Sequence, residues 1–200
     1  LRQPQIKANK NIGGGGEISY WLQLQSNFEA HKITFPILLV RNSVVLVTEK
    51  QLNKAAKLGL SWNDLFSNQQ ELFNNKTRAF SSLTIDFTEQ KEHLKKQFEQ
   101  LLDIAKQTDK SFIGAVNAQQ TKQIKGLENL EKRLLKAEKK VYTEKLEQIL
   151  LLQNQLFPNQ GLQERKANFS EFYLEINGQL LEKLYQELQP LEPNFTIISL

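Results

Sequence analysis

Three short stretches of this sequence hold residue types that can bind or activate a charged ligand. The first is Gly13-Gly14-Gly15-Gly16-Glu17. Glycines permit close approach to the backbone, and the start of a following helix offers N–H donors to an anion. The spacing does not fit the phosphate-loop pattern G-x-x-x-x-G-K-[ST]. No clear strand precedes it, and Glu17 places a negative charge directly after it. That carboxylate suits an amine or hydroxyl ligand better than bare phosphate; a helix-start loop with an acid in its first turn is the structural alternative. The second stretch, Arg41-Asn42-Ser43, lies between two apolar runs. Loops beyond the carboxyl ends of strands line ligand sites in open α/β sheets, and a charge there is costly without a partner. Arg41 thus points to a carboxylate or phosphate, although a tight turn explains Asn and Ser equally well. The third stretch is Gln163-Glu164-Arg165, followed by Asn168-Phe169 and Phe172-Tyr173. Arginine for phosphate and a ring for stacking would suit a nucleotide. Alternatively, Glu164 and Arg165 knit the base of a helical arm to a core.

Other chemistries are excluded. The chain has no Cys, so it forms no disulfide and uses neither thiolate nor cysteine-ligated metal. Its two histidines, His31 and His93, are far apart and belong to no recognisable constellation, and no metal is indicated. No apolar run approaches the ~20 residues of a membrane span, and basic residues near the start are not followed by the apolar stretch of a signal peptide. Cytoplasm is the expected compartment. The chain begins at Leu1 and contains no Met, as a fragment or processed product would. Residues 121–145 hold eight Lys/Arg against four Glu, a surplus equal to the net charge of +4 for the whole chain. A solvated helix face accounts for this; a surface for anionic ligands or nucleic acid is the alternative.

The elements that must position these residues can be read from periodicity. Residues 1–12 are unpatterned and read as a frayed edge. Glu17–Phe28 has helical spacing at Ile18, Trp21, Leu22 and Phe28. Phe35–Val40 and Val44–Val47 read as strands. Thr48–Leu58, a segment starting at Ser61 and Asn68–Phe80 read as helices, with Thr48 and Ser61 as caps and Gly59 as a stop. From Thr88 to Leu156 the pattern is helical and free of proline, with a break at Gln107-Thr108-Asp109. Leu127, Leu134 and Val141 recur every seven residues, with Leu130 and Ala137 between them, as in a coiled-coil seam. Before the break, Phe87, Leu94 and Leu101 form one series, and Phe98 and Ala105 another. A run that long needs a partner helix. We read a long antiparallel coiled-coil arm on an α/β domain, mostly helical overall. Residues 1–80 form the core, 81–157 the arm, and 158–200 helices 163–175 and 179–188 with a final strand, 195–198, returning to the sheet.

Two stretches together resemble the bacillithiol-biosynthesis cysteine-adding ligases. One is Gly13 to Leu24 with Phe35 to Ser43. The other is Leu156-Phe157-Pro158-Asn159-Gln160-Gly161-Leu162-Gln163-Glu164-Arg165 with Asn168-Phe169 and Phe172-Tyr173. Leu134 to Lys140 also looks like that family's coiled-coil segment. The resemblance runs from Asn11 to Leu200 and implies the C-terminal part of a Rossmann-like core plus a coiled-coil domain that makes a homodimer. The family is about two and a half times longer, and its N-terminal half is not matched. The resemblance also implies an ATP-dependent enzyme joining cysteine to glucosaminyl-malate, with the isolated fragment inactive. Carried onto this sequence, Glu17, Tyr20, Trp21 and Arg41 would contact substrate. Ser43 matches the same strand-end motif as Arg41 and is assigned to nucleotide; Arg165 and Asn168 would bind adenine nucleotide (ATP or ADP) in a second pocket. A non-enzymatic dimerisation or docking module is the competing reading. Nucleic-acid binding through Lys122, Lys125, Lys132, Arg133, Lys136, Lys139 and Lys140 is a third, opposed by interleaved Glu128, Glu131 and Glu138.

Overall fold

The computed structural model describes residues 10–174, 176 and 178–200. The expectations for residues 1–9, Glu175 and Asn177 lie outside them. The chain forms two compact units. Residues up to Lys54 join Asn154–Leu200 in one, and Ala55–Gln153 make the other.

The first unit opens with a strand where a frayed edge was expected. β1 (Lys10–Gly13) pairs in parallel with β2 (Ile37–Val40), in a register that sets Gly13 beside Val40. With a single large apolar residue, Ile12, β1 lacks the alternation that reveals a strand; its partner's hydrogen bonds define it. Between the two strands run α1 (Gly15–Leu22) and α2 (Gln25–Ala30). The single helix expected over 17–28 is broken at Gln23-Leu24. The break lets Phe28 meet both Trp21, at 6.0 Å between ring centroids, and Phe35, at 5.3 Å edge to face.

β3 (Ser43–Val47) pairs in parallel with β4 (Phe195–Ser199). The final strand does return, but to a second two-stranded sheet separate from β1–β2. Leu46, Ile198 and Leu180 form its buried core, joined by Val44, Phe172, Ile176, Leu184 and Leu200. Leu180 and Leu184 belong to α10 (Leu180–Glu187), and α9 (Phe169–Tyr173) supplies Phe172. The helix expected over 163–175 is instead a 3-10 turn, Gln163–Arg165, followed by the short α9. Asn168 restarts the helix by accepting a hydrogen bond from Ser170 N–H at 3.0 Å.

The expected caps form. Thr48 caps α3 (Glu49–Lys57), its hydroxyl accepting from Gln51 N–H at 3.3 Å. In the second unit Ser61 caps α4 (Trp62–Phe66), and Asn68 caps α5 (Gln69–Phe80), where no cap was expected. Gly59 has the positive φ that suits a helix stop. The long helical run breaks at the expected place, giving α6 (Thr88–Ala105) and α7 (Lys110–Val141), and again at Tyr142, before α8 (Thr143–Leu156). At this second break the Thr143 hydroxyl donates to Lys140 O at 2.8 Å and Lys139 O at 3.3 Å, side-chain competition of the kind that bends helices. Phe98 and Ala105 pack on Val116 with Leu94, Leu102 and Ile113. Leu101, expected in the seam, is 46% exposed. Leu58, Leu72, Leu146 and Ile149 form a second cluster.

Glu131 on α7 ties three helices together, accepting from Lys91 of α6 at 2.9 Å and from Arg78 of α5 at 3.0 Å. The Lys91 bond, opposed by burial and helped by Arg78, holds the Glu131 carboxyl below its ordinary range. A carboxyl depressed in the folded state stabilises fully above its unfolded value, and that contribution fades as pH falls through the depressed one. Glu131→Gln should therefore lower the melting temperature at pH 7, with the deficit shrinking as pH drops below the usual carboxylate range. Thermal melts of both proteins from pH 7 to pH 3 measure this; a deficit independent of pH would assign the effect to packing.

Candidate functional site

The glycine loop sits at the carboxyl end of β1, and Arg41 immediately follows β2. The two lie side by side, because Gly13 pairs with Val40 and Arg41 N–H donates to Gly13 O at 2.9 Å. A strand, a glycine loop, a helix and a second parallel strand place ligands at this end of a sheet. The strand that seemed missing before the loop is present as β1.

Each glycine of the loop meets a different environment. A Cβ on Gly13 would lie 2.8 Å from Glu17 Oε2. That oxygen accepts the Gly14 N–H at 2.7 Å, closing the start of α1. A Cβ on Gly14 would lie 3.0 Å from Arg165 Nη2, 3.4 Å from Arg41 Nη2 and 3.5 Å from Arg41 Nε. Two guanidinium groups thus converge on one point of the loop backbone. Neither forms an ion pair among the described residues. Gly15 and Gly16 face open space. Like charges brought this close repel, and an anion between them would make both contacts attractive. The close fit at Gly14 and the N–H groups of Gly15 and Gly16, beside the Gly14 N–H that Glu17 engages, could serve a phosphate or carboxylate.

Arg165 is delivered by its two predecessors. The buried Gln163 side chain accepts from Leu46 N–H at 2.8 Å and donates to Leu46 O at 3.1 Å. Glu164 accepts from Val44 N–H at 2.9 Å and from the Ser43 hydroxyl at 3.2 Å. Asn42 donates to Gln189 O at 2.9 Å, tying the Arg41 loop to the C-terminal segment.

The structure therefore brings Arg41 and Arg165 together, although the family resemblance implied separate pockets for them. Glu17 is at the same loop with its carboxylate engaged as a cap. Tyr20 is 61% exposed, and Trp21 is in the ring cluster with Phe28. Ser43 is bonded to Glu164, and Asn168 caps α9. Beside the Arg165 turn, Val44, Leu46, Gln163, Glu164, Phe169 and Phe172 line a mainly apolar cavity of about 190 Å³. Gln163 stood in a candidate stretch, but its pairing with the backbone of Leu46 had no sequence signal, since a glutamine bonding to a strand edge looks like any polar turn residue. Among the described residues, no group of three His, Asp or Glu side chains gathers as a metal site would, and no helix is long and apolar enough to cross a membrane.

Comparison with known proteins bears on this arrangement. Residues 44–200 match the family described as "Bacillithiol biosynthesis BshC, C-terminal coiled-coil domain", and residues 9–42 match "Bacillithiol biosynthesis BshC, N-terminal Rossmann-like domain". The chain belongs to the BshC family. Relatives named "Putative cysteine ligase BshC" include one from Flavobacterium psychrophilum, 61% identical over 94% of this chain and 35% of its own length. Others come from Flavobacterium johnsoniae, 60% identical (94% and 36%), and Christiangramia forsetii, 56% identical (94% and 35%). The chain spans about a third of the length of these BshC relatives. Arg41 lies in the Rossmann-like match and Arg165 in the coiled-coil match, so the cluster draws on both.

The glycines give a direct check of the loop geometry. Gly16→Ala enters open space in the first turn of a helix and should raise the unfolding free energy by up to about 1 kcal/mol. Gly13→Ala pushes Glu17 off its cap and should lower it by about 1 kcal/mol. Urea denaturation compares them; equal gains from both would contradict the crowding at Gly13.

Proposed function

We propose that this chain is the C-terminal part of an ATP-dependent ligase that adds cysteine to glucosaminyl-malate in bacillithiol biosynthesis, working in the cytoplasm. Family membership and the names of the relatives support a cysteine ligase. The observation that carries the site is the convergence of Arg41 and Arg165 on Gly14. In our reading the two guanidinium groups and the N–H end of α1 hold an anionic group, the phosphate of an adenine nucleotide or a substrate carboxylate. When bound, the nucleotide supplies the activation that lets an amine attack a carboxylate. The part of this chain is to hold and orient: fixed positive groups stabilise negative charge developing beside them, and the apolar cavity near Phe169 and Phe172 offers walls for a base. Glu17, Tyr20 and Trp21 complete the substrate side of the loop, with Ser43 and Asn168 supporting the Arg165 side.

Calorimetric titration of ATP into the chain tests this. Arg41→Ala and Arg165→Ala should each weaken binding by about tenfold or more, the size of a charge-assisted hydrogen bond. Wild-type affinity in both variants, with normal melting, would remove the pair from the site. In the full-length protein, mass spectrometry should show the cysteinyl product, and the isolated chain should form none.

The second reading, assembly through an antiparallel helical arm, rests on Leu130 and Val141, seam residues that are 51% and 70% exposed. We propose that they face a second copy. Light scattering should show a dimer that Leu130→Asp with Val141→Asp returns to monomer; a monomer at high micromolar concentration would refute it.

A further inference from the structure

We infer that Gln163 and Glu164 are positioning residues for anion binding at the glycine loop, acting through Arg165. The inference rests on reading Gly14, Arg41 and Arg165 as an anion site. Arg165 has no side-chain hydrogen bond or ion pair among the described residues, so the position of its backbone sets the region its guanidinium can reach. That backbone belongs to a three-residue turn, too short to hold its own orientation.

The orientation comes from β3. In a parallel pair, alternate residues turn their N–H and C=O toward the partner strand. Val47 O accepts from Leu200 N–H on the β4 side, which leaves Val44 and Leu46 facing the other edge. Gln163 takes both polar groups of Leu46, and Glu164 takes the N–H of Val44 and the hydroxyl of Ser43. Two consecutive side chains thereby read the two-residue repeat of a strand, on an edge of β3 that pairs with no strand among the described residues. The third residue of the turn is Arg165. Arg41 lies just two residues before Ser43, so the clamp refers both arginines to one strand. Loosening it would separate the two cations without removing either.

The test uses inorganic pyrophosphate as probe, titrated calorimetrically into the full 200-residue chain. Glu164→Ala should weaken binding by about three- to tenfold. Arg165→Ala added to it should bring the total only to the roughly tenfold that Arg165→Ala costs alone. Glu164→Gln, which retains an acceptor, should recover most of the affinity. If Glu164→Ala does not fold, Ser43→Ala removes one bond of the clamp and should still weaken binding about twofold. A purely architectural clamp would instead leave the cost of Arg165→Ala unchanged in the Glu164→Ala background, and that result overturns the inference. So does wild-type affinity in a folded Glu164→Ala or Ser43→Ala variant while Arg41→Ala and Arg165→Ala weaken binding. If the two arginine variants bind as the wild type does, the anion site fails, and the positioning role with it.

Discussion

The side chain of Gln163 does for β3 what a neighbouring strand would do. Its carbonyl accepts from the N–H of Leu46 and its amide donates to the carbonyl of the same residue. Leu46 is buried, and an unmet backbone N–H or C=O there would cost about 1–3 kcal/mol. The bond joins residues 117 positions apart. It fixes the C-terminal segment against the N-terminal one within the same unit, and the core of Leu46, Leu180 and Ile198 closes over β3 and β4. From that anchor, Glu164 reaches Val44 and Ser43, and Arg165 reaches the glycine loop. An apolar side chain at 163 could fill the space but would leave two backbone groups unpaired.

The glycine loop shows the complementary constraint. Gly14 has ordinary extended torsions, φ −69° and ψ 164°, so backbone freedom does not explain its lack of a side chain. Space does, because the guanidinium groups of Arg165 and Arg41 occupy the region a Cβ would enter. Gly13 is crowded on its other side by Glu17, whose carboxylate closes the first turn of α1. Acid and base are thus divided across two adjacent glycines. Glu17 is engaged by the backbone, and neither arginine forms an ion pair among the described residues.

Much of this was legible in the sequence. The Ile/Val runs of β2 and β3, the Thr48 and Ser61 caps and the turn at Gln107–Asp109 all follow from local periodicity and capping chemistry. β1 was not, because four residues with one large apolar side chain carry no alternation; a long-range pairing with β2 makes the strand. The break at Tyr142 has neither glycine nor proline to mark it and comes from the Thr143 hydroxyl bonding backward. The site was legible in its parts but not in its union. Arg41 and Arg165 each stood out as a candidate anion ligand, yet their meeting at one glycine is a contact between segments more than a hundred positions apart, which local patterns do not encode.

Membership in the BshC family gives this cluster its setting. One arginine comes from the Rossmann-like stretch and the other from the stretch matching the coiled-coil domain, so anion binding would sense whether the two are correctly joined. The most direct test of a single shared site is a two-dimensional ¹H–¹⁵N NMR titration with inorganic phosphate. The account predicts that the amides of Gly14, Gly15 and Gly16 and the Nε–H resonances of Arg41 and Arg165 shift together along one binding isotherm. Separate isotherms for the two arginines, or glycine amides that do not respond, would contradict it.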